Sequence, residues 1–179
     1  MVVDLDVVAE RYDALRAALP IADVFYAVKA NPAPEILELV VARGGHFDVA
    51  SPAEIDLCLA AGAQPADISF GNTIKKQRDI ASAYAKGVRL YAFDADDELR
   101  KLRESAPEAT VFCRVLCDGS GADWPLSRKF GCEPDEAARL LFLAAESGMA
   151  IGVSFHVGSQ QRDVGAWDGA LEQVAWIAG

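Results

Sequence analysis

The stretch His46-Phe47-Asp48-Val49-Ala50-Ser51-Pro52-Ala53-Glu54-Ile55-Asp56-Leu57-Cys58-Leu59-Ala60-Ala61-Gly62 reads as one strand–helix unit. Its opening run, from His46 to Ala50, has the short apolar character of a buried strand. Ser51-Pro52-Ala53-Glu54 then has the form of a capping box, with proline at the first helical position. Ile55, Cys58 and Leu59 recur at three- and four-residue spacing, which predicts a helix over 54–61. Gly62 falls where a left-handed C-terminal cap belongs.

The unit repeats in both directions. Strand-like runs begin near Val24, Phe47, Ile68, Val88, Thr110 and Ile151. Helix-like stretches lie between most of them, with Ile36, Leu39 and Val40 on one face over 35–43 and Leu140, Leu141 and Ala144 over 135–147. Gly44, Gly87 and Gly148 punctuate further helix ends. Strands alternating with helices run parallel, because each helix carries the chain back to the same edge. The step of roughly 22 residues is also that of a leucine-rich repeat, but the LxxLxLxxN pattern is absent. Six units predict an incomplete (β/α)8 TIM barrel, since the closed form needs eight units and about 250 residues. An open, doubly wound sheet is the alternative, although no GxGxxG follows any strand.

Composition narrows the function. The 179 residues are 52% hydrophobic and 25% charged, the balance of one globular domain. Seventeen Lys and Arg against 27 Asp and Glu give a net charge of -10, which repels phosphate backbones and argues against nucleic acid as a partner. No apolar run reaches the ~18 residues of a membrane span, and the start lacks a signal-peptide pattern, so a cytoplasmic protein is expected. The four cysteines (Cys58, Cys113, Cys117 and Cys132) contain no CxxC pair and read as reduced core thiols, with no metal site expected.

Polar groups stand at or near the ends of four strand runs. Lys29 ends the run from Val24, on the face of Phe25 and Ala27. Asp48 shares a face with Ala50, Arg114 sits between apolar neighbours, and His156 shares a face with Ser154 and Gly158. In α/β architectures such ends converge on one mouth, where sites are built. Singly, each has a structural reading. Lys29 would snorkel, and Asp48 and Arg114 would pair. Glu54 would serve its cap, His156 would be a hydrogen-bonded core histidine, and Ser159 would cap a turn. His46 with Asp48 is a weak metal pattern. Together they suit a Schiff-base chemistry, in which a partly desolvated Lys29 beside other cations attacks an aldehyde such as that of pyridoxal phosphate. A flat His156 ring can pack on such a cofactor, and the hydroxyl and backbone N–H groups at Gly158-Ser159 can hold its phosphate.

These residues carry a resemblance. Tyr26-Ala27-Val28-Lys29-Ala30-Asn31-Pro32 is similar to the cofactor-lysine segment of the fold-type III pyridoxal phosphate decarboxylases. Three more segments match in order and spacing: Phe47 to Ile55, Arg128-Lys129-Phe130-Gly131, and Ser154-Phe155-His156-Val157-Gly158-Ser159-Gln160. Gly71-Asn72-Thr73-Ile74-Lys75-Lys76 and Gly119-Ser120-Gly121-Ala122-Asp123-Trp124-Pro125-Leu126-Ser127 resemble the bacterial ornithine or lysine/ornithine branch.

The resemblance implies a barrel of the alanine racemase/ornithine decarboxylase type, with residues 1–179 forming a partial pyridoxal phosphate-binding domain. It implies Lys29 as the residue bonded to the cofactor and His156 as the stacked ring. Ser159 would be the phosphate ligand, Asp48 and Arg114 the pocket lining, and Glu54 the residue behind it. Lys129 would lie at the subunit contact of a homodimer. The reaction implied is loss of the α-carboxylate from ornithine, giving putrescine and carbon dioxide, or from lysine, giving cadaverine. One methylene separates these substrates, a difference worth only ~1–3 kcal/mol to a pocket. A non-catalytic regulatory relative and an alanine-racemase-like enzyme are the competing readings. The resemblance also implies a later glycine-rich phosphate loop, a glutamate for the pyridine nitrogen and a C-terminal β domain, none of which this sequence contains. The 179 residues alone are therefore expected to turn over little or no substrate.

Overall fold

The computed structural model describes residues 2–119, 121–123 and 129–179. Of the motifs above, Ser120 and residues 124–128 lie outside the described residues.

A leading helix α1 (Leu5–Ala18) precedes six strand–helix units. The strands are β1 (Phe25–Ala27), β2 (His46–Val49), β3 (Ile68–Phe70), β4 (Leu90–Phe93), β5 (Thr110–Arg114) and β6 (Ala150–Ser154). The helices that follow them are α2 (Pro34–Ala42), α3 (Pro52–Ala60), α4 (Gln77–Ala85), α5 (Asp96–Ser105), α6 (Pro134–Glu146) and α7 (Asp168–Ala178). All six strands are parallel and pair in sequence order, β1-β2-β3-β4-β5-β6. Sequential order decides between the two expected architectures. A doubly wound sheet reverses its strand order at a switch point, and this sheet has no reversal. It is an arc of a (β/α) barrel.

Local chemistry explains the elements. Asp4 caps α1, its Oδ1 accepting from the N–H groups of Asp6 at 3.0 Å and Val7 at 3.3 Å. Ser51 caps α3 by accepting from the Glu54 N–H at 3.3 Å. The Glu54 carboxylate reaches back to the Ala50 N–H at 2.5 Å, one residue further than the usual capping box. Gly44, Gly62, Gly87 and Gly148 all hold positive φ, from 64° to 100°, just past helix ends.

The core lies between the sheet and its helices. In β5, Val111 and Cys113 are buried while Thr110, Phe112 and Arg114 are partly exposed, the alternation of a strand with one covered face. Phe47, Ile55, Phe70, Tyr91, Leu102 and Leu140 belong to the same cluster, each worth roughly 1.5–3 kcal/mol when fully buried.

Most boundaries shift by a residue or two from expectation, in strands as in helices. The run at Val88 starts two residues late, because the Val88 N–H still bonds the Ala83 carbonyl at the end of α4. β6 begins at Ala150, one residue early. The first run stops at Ala27, and Lys29 lies in a short 3₁₀ turn (Val28–Ala30), not on the strand.

Candidate functional site

Parallel strands deliver their C-terminal ends to one edge of the sheet, and the polar residues gather there. The turn carrying Lys29 is pinned from both sides. Buried Val28 anchors it, the Tyr26 hydroxyl donates to the Asn31 carbonyl at 3.0 Å, and Asn31 Oδ1 accepts from the Ala33 N–H at 3.1 Å. Lys29 itself is exposed. It borders a cleft lined by Asp48, Val49 and Ala50 after β2, by Gly71, Asn72 and Thr73 after β3, and by Arg114 and Phe130.

Asp48 occupies the inside of this cleft. Burial pushes its carboxyl up to about 6, with Glu54 adding to the rise and Lys29, Arg114 and a Gly71 backbone hydrogen bond opposing it. Gly71 makes the carboxyl's position available, because a Cβ there would stand 1.9 Å from Asp48 Oδ1. Arg114 closes β5, its guanidinium 5.3 Å from the Phe130 ring. Burial lowers its pKa, with Asp94 opposing most strongly.

His156 follows β6. It is exposed as a residue, yet its ring loses part of its hydration, and that loss, with the Arg114 and Lys29 charges, holds its pKa below the usual value. Its Nδ1 accepts from the Gly158 N–H at 3.0 Å, so the neutral ring carries its proton on Nε2. The Gly158 N–H is thus engaged on His156. Ser159 is partly buried between two residues with positive φ, Gly158 at 102° and Gln160 at 59°.

The structure thus brings Lys29, Asp48 and Arg114 to one cleft and sets His156 within electrostatic reach of two of them. Glu54 and Ser159 do not line the cleft. Glu54 stands behind Asp48, bonded to the Ala50 backbone. Lys129 lies outside as well, its Nζ 5.1 Å from the Phe130 ring. His46 faces Asp67 across 3.7 Å and packs on Phe25, which accounts for it without a metal.

One sequence expectation is corrected. The desolvated lysine of this edge is Lys75, not Lys29. Its side chain is fully buried, and its Nζ donates to the carbonyls of Asn72 at 2.8 Å and Ala92 at 2.5 Å. Burial pushes its pKa down to about 8, and Glu98 at 3.0 Å opposes the shift. Lys29, in the turn after β1, is exposed by contrast.

Two other contributors were missed. Asp94, just after β4, accepts from the Gly131 N–H at 2.8 Å and so ties the segment after β5 to the site. Thr73 lines the cleft from the loop after β3. The rule that found Lys29 and Arg114, polar residues just past strand ends, marks both when it is applied to β3 and β4.

The cleft fits a pyridoxal group. It offers an accessible amine, a buried carboxyl, a guanidinium and a backbone approach that only glycine permits at position 71. An arc of parallel (β/α) units with such a set at the C-terminal edge defines the class: a barrel domain that carries a carbonyl-bearing cofactor. The family follows from comparison. Residues 5–178 match the pyridoxal-dependent decarboxylase family, in its pyridoxal binding domain, and the chain belongs to that family.

The chain is 40% identical over 172 residues to the lysine/ornithine decarboxylase of Selenomonas ruminantium, covering 96% of this chain and 44% of that protein. It is 40% identical over 173 residues to the chloroplastic ornithine decarboxylase of Nicotiana glauca, covering 95% and 40%. The arginine decarboxylase of Paramecium bursaria Chlorella virus, solved bound to agmatine, superposes with a TM-score of 0.92 at 32% identity, covering 97% of this chain and 47% of that one. The chain therefore spans less than half the length of the relatives it matches. Among the described residues, no helix is long and apolar enough to cross a membrane.

Proposed function

We propose that this chain holds pyridoxal phosphate through Lys29, and that the whole protein decarboxylates a basic amino acid, L-ornithine or L-lysine. The observation that carries the reading is the meeting of Lys29, Asp48 and Arg114 on one cleft of a pyridoxal binding domain. The relatives' names support the substrate class and leave its chain length open.

Bound pyridoxal phosphate supplies an aldehyde and an electron-withdrawing ring that accommodates the charge left when a carboxylate departs. The residues here do the rest. Lys29 presents its amine at the mouth of the cleft, where the aldehyde can reach it. Asp48 and Arg114 give the pocket one group of each sign. Asp48, buried, holds its proton up to about pH 6. Neutral His156 offers a flat ring that packs against an aromatic face without a competing charge. Ser159 donates its hydroxyl to the phosphate. Glu54 fixes the backbone after Asp48 from behind. The product for ornithine is putrescine, for lysine cadaverine.

The reading includes a homodimer with Lys129 at the subunit contact. It also includes a reducing, cytoplasmic compartment, which the four free cysteines support.

Borohydride reduction in the presence of pyridoxal phosphate tests the site. The expected result is one stable adduct, located on Lys29 by peptide mass analysis and absent from Lys29→Ala. A folded chain labelled elsewhere, or not at all, overturns the reading. Carbon dioxide release by the whole protein from ornithine or lysine tests the reaction; racemisation without gas release would overturn it.

A further inference from the structure

We infer that Thr73 is a further cofactor-contact residue, its hydroxyl completing its hydrogen bonding on the group held in the cleft. The inference rests on the proposed pyridoxal phosphate site and adds a residue to it.

Thr73 is 2% exposed, and its Oγ1 is buried without a hydrogen-bond partner. Buried hydroxyls are ordinarily paired, so an orphaned one asks for an explanation. Three other buried side-chain atoms share this status among the described residues (Arg43 Nε, Arg103 Nε and Gln173 Oε1), and none of them lines the cleft. Thr73 does.

The loop gives the hydroxyl no way out. Lys75 clamps its far end through the Asn72 and Ala92 carbonyls and Glu98. Glu98 Oε1 also accepts from the Lys75 N–H at 3.1 Å, and Lys101 closes the network on Glu98 Oε2 and the Lys75 carbonyl, each at 2.5 Å. At the near end, Gly71 lies against Asp48, with its N–H on the Val49 carbonyl at 3.1 Å. The Asn72 amide is engaged on the Ile74 carbonyl at 2.7 Å. Asn72 and Lys75 thus have internal partners, whereas the Thr73 hydroxyl, on a residue that lines the cleft, has none. A hydroxyl donates and accepts, so it can meet the phenolic oxygen or a phosphate oxygen of pyridoxal phosphate.

Two variants decide the matter, each read for both stability and cofactor binding. Thr73→Val keeps the shape and removes the hydroxyl; Thr73→Ser keeps the hydroxyl. In the cofactor-free chain, Thr73→Val should leave the unfolding temperature unchanged or raised, because it deletes an unpaired buried polar atom. In a titration with pyridoxal phosphate followed by absorbance, it should weaken binding about tenfold, while Thr73→Ser stays within about twofold.

Normal binding by Thr73→Val, with wild-type chain labelled on Lys29, overturns the inference and leaves the site intact. A water that satisfies the hydroxyl in both states gives that same result. A large loss of stability in cofactor-free Thr73→Val means an internal partner and also overturns it. A folded wild-type chain that takes up no pyridoxal phosphate removes both readings together.

Discussion

Strands β3 and β4 bury every residue except the partly exposed Leu90, whereas β1 and β6 bury none. The residues that follow these strands inherit the difference. After β3, Lys75 is sealed among carbonyls and Glu98. After β1, Lys29 is exposed; after β6, His156 is exposed as well. The middle strands and the loops after them hold a floor of Asp48, Gly71, Thr73 and Asp94, while the outer strands lead to the exposed Lys29 and His156.

The contrast can be broken most severely at Glu98. Removing it in Glu98→Ala leaves Lys75 buried without its counter-ion, and such losses typically cost about 3–5 kcal/mol. Denaturant titration should show a loss of that order, whereas Lys29→Ala, on the open side, should stay within about 0.5 kcal/mol. Equal losses for the two lysine environments would erase the distinction.

Asp48 sits between the two regions, and pH reads it out. Its folded pKa is raised from 3.8 to about 6, so the folded state binds its proton more tightly than the unfolded state does. The associated stability is fully present below the unfolded value and is lost as pH rises through about 6. Above that, the cofactor-free chain carries a buried ionised carboxylate. Asp48→Asn should therefore stabilise the chain at pH 8 by about 1–3 kcal/mol and flatten its stability profile between pH 4 and 6. An unchanged profile would place the carboxyl in water, with Lys29, not with the floor.

The smallest effect sharpens the comparison within one rung of the sheet. Val111 and Ile151 are register partners on β5 and β6, one fully buried and the other 46% exposed. Val111→Ala should cost about 2 kcal/mol and Ile151→Ala less than about 1 kcal/mol, measured by thermal unfolding. Reversal of that order would mean that β6 is covered in solution.

Much of this molecule was legible in its residues. Periodicity, the Ser51 cap and the glycine stops located the units, since helix and strand patterns depend on near neighbours. The Lys29 segment and the His156 segment pointed to one chemistry before any contact was known. The strand order was not legible, because a parallel pair joins residues far apart in the chain, from Phe25 with His46 to Thr110 with Ala150, and the local pattern is the same in a barrel and in a doubly wound sheet. The environment of each lysine was also hidden. Lys29 and Lys75 both follow a short apolar run, yet Lys29 is exposed and Lys75 is sealed among the Asn72 and Ala92 carbonyls and Glu98. The amino-acid sequence by itself determined which elements form and which reactive groups stand at their ends. Tertiary structure alone decided which of those groups lose their water, because desolvation depends on neighbours distant in the chain.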